Sequence, residues 1–297
     1  MNTFDDLFDS AKKNEQNNRP FDKDAWAERK QAERKSVYDL AGQTAEMVSA
    51  DGGRFRDYLD IQTRFDRYSA TNALLILAQM PQATQLKDFD GWHEAGTSIK
   101  KQQKGISILE PGEEYKREDG SMGTSYNVKK VFDISQTTAR VKMPPFVNAD
   151  ERLLLKALIH NPPVPMQTVD ELPRGMGALY DHEKQVIFVR RGMAAEDIFR
   201  SVSKELAHAE IAMNRKEYTR DSAAFAAYSV SYMLCGKNGI NASGYDFSHL
   251  PDSFREADPQ SVRAALSEMR DTMNSISGRM VRVMEQNKAP KAKDQER

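Results

Sequence analysis

The chain has 297 residues, 39% hydrophobic and 29% charged, with a formal net charge of −1. That balance describes a soluble globular chain, long enough for one large domain or two of ordinary size. Near-neutrality excludes a molecule drawn to polyanions by its overall field, so any nucleic-acid site has to be a local patch. Cys235 is the only cysteine, which rules out an internal disulfide and fits a reducing compartment. MNTFDDLFDSAKKNEQ has neither the basic nor the apolar region of a signal peptide, and ALLILAQM is too short to span a bilayer. A cytoplasmic protein with no membrane partner is expected.

Residues 1 to about 23 are polar, although Phe4, Leu7, Phe8 and Ala11 share one helical face. A charged helix follows from Asp24 to about Met47, broken by Gly52 and Gly53. The next runs from about Arg54 to Phe65. A third takes Ser69 or Thr71 as N-cap and ends at Pro81. DFDGWHEAG reads as a short helix closed by Gly96. ISIL (106–109) and YNVKKVFDI (126–134) read as strands, with PGEEYKREDGSMG a turn-rich excursion between them. MPPFVNADE marks a boundary before a helix at about Ala149 to Ile159, and PPVP interrupts again.

GALYDHEKQVIFVRR has two apolar runs around Asp181 to Lys184, the signature of a β-hairpin. AAEDIFRSVSKELAHAEIAM then predicts an amphipathic helix that buries Ile198, Val202, Leu206, Ala209 and Met213. SAAFAAYSVSYML is a second helix, with Cys235 after its end as a small buried thiol. SVRAALSEMRDTMNSISGRMVRVME is a long terminal helix. Its Met269, Met273, Met280 and Met284, with Met233 nearby, read as packing or partner surface. KAPKAKDQER reads as a disordered tail. The expected class is α+β in two domains, with helices and a small antiparallel sheet over 36–145, helices and a hairpin over 146–287, an extension at 1–35 and a tail at 288–297.

KELAH (204–208) raises the sharpest chemical question. Two histidines at i and i+4 share a helical face and can hold one zinc, with an intervening glutamate as general base. Here the polar face is Ser201, Lys204, Glu205 and His208, and an ammonium has no lone pair to offer a metal. Local composition alone describes an ordinary helix with Lys204 and Glu205 solvated.

The order of elements around YDHEKQVIFVRRGMAAEDIFRSVSKELAHAE resembles the IrrE/ImmA-like zincin domain, which sets a strand pair before its HExxH helix. AAFAAYSVSYMLCGKNGINASGYDF resembles the helix that supplies that family's third ligand, with Ala224 at the ligand position. The resemblance therefore implies a degenerate zincin that keeps Glu205 and His208 as vestiges and has no catalytic set. In the front half, YSATNALLILAQMPQAT, GWHEAGTSIKKQQKGISILEP and VFDISQT resemble the single-stranded-DNA-binding domain of ArdC-type antirestriction proteins. That resemblance implies protection of transferred DNA on mobile elements. The family's basic loop has a glycine where this chain has Gln102, so a different turn geometry is expected there.

Binding single strands without sequence preference needs cations for phosphates and aromatic faces for bases. SIKKQQKG supplies Lys100, Lys101 and Lys104. Trp92 lies just upstream, Lys129 and Lys130 sit on the following strand, and Arg67, Tyr68 and Asn72 flank the third helix. Residues 54–143 carry 14 Lys/Arg against 12 Asp/Glu, so composition by itself does not single out DNA. The lysines rank above Trp92, which is equally a core anchor, and Tyr68 and Asn72 are equally capping and packing residues. Zinc is not expected. The remaining metal option joins His208, Asp221 and one distant histidine out of His160, His182 and His249. The leading expectation is a DNA-binding protein of a mobile element with an inactive zincin-like half. Its alternatives are a zinc peptidase with a rearranged site, or a protein-binding inhibitor of a host nuclease, with a host restriction or defence protein as partner.

Overall fold

A computed structural model describes residues 22–117, 119–139 and 150–286. The face of Phe4, Leu7, Phe8 and Ala11, most of the MPPFVNADE boundary and the terminal tail lie outside the described residues. The fold is α+β. The front half holds α1 (Lys23–Ala50), α2 (Gly52–Arg64), α3 (Ala70–Gln79), β1 (Leu86–Lys87), α4 (Phe89–Glu94), β2 (Ile106–Lys116) and β3 (Met122–Asp133). After it come α5 (Glu151–Leu158), β4 (Met166–Val169), β5 (Ala178–Asp181), β6 (Val186–Arg190), α6 (Ala195–Asn214), α7 (Arg220–Asn238), α8 (Asp252–Arg255) and α9 (Pro259–Gln286). Among the described residues, no helix is long and apolar enough to cross a membrane.

Two three-stranded sheets result, ordered β1-β3-β2 and β4-β6-β5. The first is antiparallel throughout. In the second, β5 and β6 form the expected hairpin and β4 adds in parallel to β6. The sequence did not predict β1 or β4, each too short to show a hydrophobic period. The excursion after ISIL is also mostly strand: β2 continues to Lys116 and β3 begins at Met122, with a register shift between Pro111 and Glu114. Pro111 has no N–H for the ladder, and the bulge absorbs it. The outer part of this hairpin is exposed on both faces, so nothing imposes an apolar alternation that sequence reading could detect.

Several helix starts carry side-chain caps. Asp51 accepts from Arg54 N–H at 2.8 Å, and Ser69 rather than Thr71 caps α3. Gly52 therefore begins α2 instead of ending α1. A Cβ there would stand 1.8 Å from the Phe247 carbonyl oxygen, so the residue is small because two backbones meet. One apolar cluster runs from Ala45 to Val283 and takes side chains from both halves. Phe55 of α2 stacks on Phe225 of α7 at 4.9 Å and meets Phe247 and Phe254 edge-on at 5.3 Å each. Such pairs add roughly 0.5–1.5 kcal/mol beyond their buried area.

Val202, Leu206 and Ala209 of α6 are buried as expected, but Met213 is 62% exposed because the helix leaves the core in its last turn. Met233, Met269, Met273 and Met280 are core residues. Cys235 lies inside α7, not beyond it. It is fully buried 3.6 Å from the Tyr245 hydroxyl, and burial pushes its pKa up to about 11.

Candidate functional site

A cleft of about 830 Å³ opens between the start of α3, the α4 segment and the β2–β3 sheet. Arg67, Tyr68, Asn72 and Lys129, drawn from two separate stretches of sequence, all line it. Tyr126 lines it too, from the hairpin, and is 38% exposed. Arg67, Lys87, Lys129 and Arg270 face three acids, Asp88, Glu94 and Glu110, so the lining is only slightly positive. Lys129 is already neutralised: Nζ lies 2.8 Å from Glu110 and 2.9 Å from Asp88, and these two contacts raise its pKa. The same lysine, with the Gly91 N–H, holds the Asp88 carboxyl below the usual range. Arg67 has no hydrogen bond or ion pair among the described residues. Tyr68 is half-buried against Phe65, and that burial raises its hydroxyl pKa.

Two of the expected contact residues serve the fold. Trp92 is 3% exposed and donates its indole N–H to the Phe132 carbonyl at 2.8 Å, so it is a core anchor with no face left for a base. Asn72 is 7% exposed and clamps α3 to β2, donating to Leu109 O and accepting from Leu109 N–H at 2.8 Å each. Lys130 points away from Lys129, as neighbours on a strand must. It donates to the Ser107 hydroxyl and lies 4.0 Å from Glu33 of α1.

Lys100, Lys101 and Lys104 lie in the loop before β2 and do not line the cleft. All three are exposed. Lys100 Nζ donates to Ser135 O at 2.9 Å, whereas Lys101 and Lys104 hold no partner through their ammonium groups among the described residues. Gln102 adopts φ 61°, a left-handed conformation that glycine takes at less cost.

VFDISQT explains the shape of this loop. Asp133, Gln136 and Thr137 are buried polar residues. Asp133 accepts from Thr84 N–H at 2.6 Å, Gln85 N–H at 2.9 Å and Ser135 N–H at 3.0 Å. Burial alone would raise its pKa, but these bonds outweigh burial and lower it. Gln136 accepts from Asp133 N–H at 2.9 Å and donates to Lys104 O at 2.9 Å. The string is a set of polar staples that fixes the lysine loop, not a row of contact residues.

The KELAH helix is a closed site. Glu205 is fully buried rather than solvated, because Arg220 of α7 reaches it with two parallel hydrogen bonds of 2.8 Å each. The Tyr180 N–H adds a third at 2.9 Å. Lys204 stands 3.8 Å from the same carboxylate. His208 is 2% exposed, with Nδ1 3.1 Å from the Tyr218 hydroxyl, and burial lowers its pKa to about 4.

His208, Asp221 and His249 line one pocket of about 460 Å³ with Lys204 and Arg220. His160 is exposed elsewhere, whereas His182, also exposed, packs against the Tyr218 ring at 4.8 Å without lining that pocket. Among the described residues, no group of three or more His, Cys, Asp or Glu is placed to hold a metal ion. The zinc implied by the zincin resemblance does not fit this donor set. A cation stands at the first ligand position, and both oxygens of the glutamate are engaged by a guanidinium. Arg220 carried no signal in the sequence, since it lies one helical turn before Ala224, the position the zincin pattern marks.

No family model and no curated protein matches the chain. Among solved structures, the chain is similar to the antirestriction protein ArdC from plasmid R388. Against its metal-free structure the identity is 17% and the TM-score 0.47, over 72% of this chain and 86% of that one. Against its Mn(II)-bound structure the identity is 16% and the TM-score 0.48, over 73% and 84%.

Proposed function

We propose that the protein binds single-stranded DNA through its front half, in the service of protecting transferred DNA from restriction. The observation that carries this reading is the convergence of Arg67, Tyr68 and Lys129 on one cleft to which β3 also contributes Tyr126. Two tyrosines and a guanidinium without a partner among the described residues supply what an unpaired strand needs, aromatic faces for bases and positive charge for phosphate. Lys101 and Lys104 add free ammonium groups on a loop held rigid by Gln136. The sequence resemblance of VFDISQT and its neighbouring blocks to ArdC-type domains supports the antirestriction role.

The back half, in this reading, is a scaffold or interaction surface without hydrolytic chemistry. Its glutamate is tied to Arg220 and its imidazole to Tyr218. Binding of labelled oligothymidylate and of a duplex across a salt series tests the first part. Single strands are expected to bind more tightly, with affinity reduced by Tyr68→Ala, Arg67→Gln and the triple Lys100, Lys101, Lys104→Gln change. Equal, weak binding to both forms, indifferent to those changes, removes the reading. Zinc analysis of protein purified without chelator tests the second part. Stoichiometric zinc that is lost in His208→Ala would overturn it.

A further inference from the structure

The cleft of the front half contains one cation that comes from the far end of the chain. Arg270 sits on α9 between the core residues Met269 and Met273, and its side chain lines the cleft with Arg67. Among the described residues its only ion pair is with its chain neighbour Asp271 at 3.3 Å, and its buried Nε has no hydrogen-bond partner. A desolvated donor left unpaired is costly, and native structures supply a partner for nearly all such groups. One turn further along α9, Asn274 donates to the Asp66 carbonyl at 2.9 Å, immediately before Arg67 in the chain. Lys237 of α7 ion-pairs with the Asp66 carboxylate. The loop that carries Arg67 is thus clamped by two back-half helices, one of which also carries Arg270.

Two guanidiniums lining one cleft, one without a partner and one with an unpaired buried donor among the described residues, ask for an anion. Lys129 cannot be the main anion contact, because Asp88 and Glu110 already neutralise it. We propose that Arg270, together with Arg67, binds a phosphodiester of the single strand. The DNA site is then completed by the C-terminal helix and does not belong to the front half alone. This rests on the single-stranded-DNA reading above.

The test uses the full chain with Arg270→Gln and Arg270→Lys, labelled oligothymidylate lacking terminal phosphates, and thermal melting of each variant. Arg270→Gln is expected to lower affinity about tenfold, as loss of one charge-assisted contact should. It should also make the salt dependence shallower by about 0.7 in log–log slope. Arg270→Lys should keep the wild-type slope while losing part of the affinity.

If Arg270→Gln binds like wild type while Tyr68→Ala loses binding, the assignment of Arg270 is wrong and the DNA reading stands. If the wild-type chain itself fails to bind, both fall. Equal losses in both variants, matched by equal drops in melting temperature, make Arg270 structural and overturn the proposal. Inorganic phosphate alone raising the melting temperature of wild type but not of Arg270→Gln, with oligonucleotide binding unchanged, would reassign the site to a small anion and also overturn it.

Discussion

The front cleft and the KELAH pocket contain similar charged residues in opposite states of use. In the cleft, Arg67 is without a partner among the described residues, and the Lys129 ion pairs are a third to a half exposed, open to exchange with solvent. In the KELAH pocket, the Glu205 carboxylate is fully buried and meets a forked guanidinium and a backbone N–H. Exposed pairs contribute little to stability and are readily broken, whereas removing one member of a buried pair strands the other. The contrast teaches that charge composition does not mark a binding site. In the proposed reading, what marks it is charge left unpaired at a surface.

The largest expected effect belongs to the closed pair. Arg220→Ala leaves Glu205 buried with only the longer Lys204 contact and the Tyr180 N–H, and should lower unfolding free energy in urea by about 3 kcal/mol. Glu205→Met combined with Arg220→Met should recover most of that loss. A near-neutral Arg220→Ala would break the contrast at its strongest point.

His208 sharpens it further. Its folded pKa near 4 lies below the ordinary value of 6.5, so the unfolded chain takes up the proton first. Stability from this group is complete above pH 6.5 and declines as pH falls from 6.5 to 4, by on the order of 3 kcal/mol in total. Glu205 attracts the proton, while Arg220, Lys204 and Arg215 oppose it. Urea titrations at several pH values should show this slope in wild type and a flatter one in His208→Asn.

In the cleft the expected effects are on affinity. Tyr68→Ala should cost about 1–3 kcal/mol of single-strand binding, the range for one lost stacking partner. Trp92→Phe should lower stability and leave affinity nearly unchanged, and comparable affinity losses from the two would erase the distinction drawn between them. The smallest change is at the neutralised lysine. Lys129→Gln should weaken binding by less than about 1 kcal/mol, and Glu110→Gln should strengthen it severalfold by releasing that ammonium.

Most of the helical framework was legible because its apolar stripes, caps and breakers are local signals. Ser69, the hairpin around Asp181 to Lys184 and the buried stripe of α6 all follow from residues a few positions apart. What escaped depends on partners distant in sequence. Gly52 looks like a helix breaker until the Phe247 backbone is set beside it. Glu205 looks solvated until Arg220 arrives from the next helix, and Trp92 looks like a stacking face until the Phe132 carbonyl takes its N–H. The cleft was half legible: Arg67, Tyr68 and Lys129 were read from residue type, but Tyr126 and Arg270 were not, because neither belongs to a local motif.

The sulfur of Cys235 has a practical consequence. It is the chain's only thiol, sealed in α7 with its ionisation suppressed. Reagents that alkylate thiolates can reach it only when the surrounding helices part, so the rate of its modification measures how often the interior opens. Wild-type protein thereby carries a built-in clock for breathing, against which bound oligonucleotide, acidity or an Arg220 substitution can be timed without any added label.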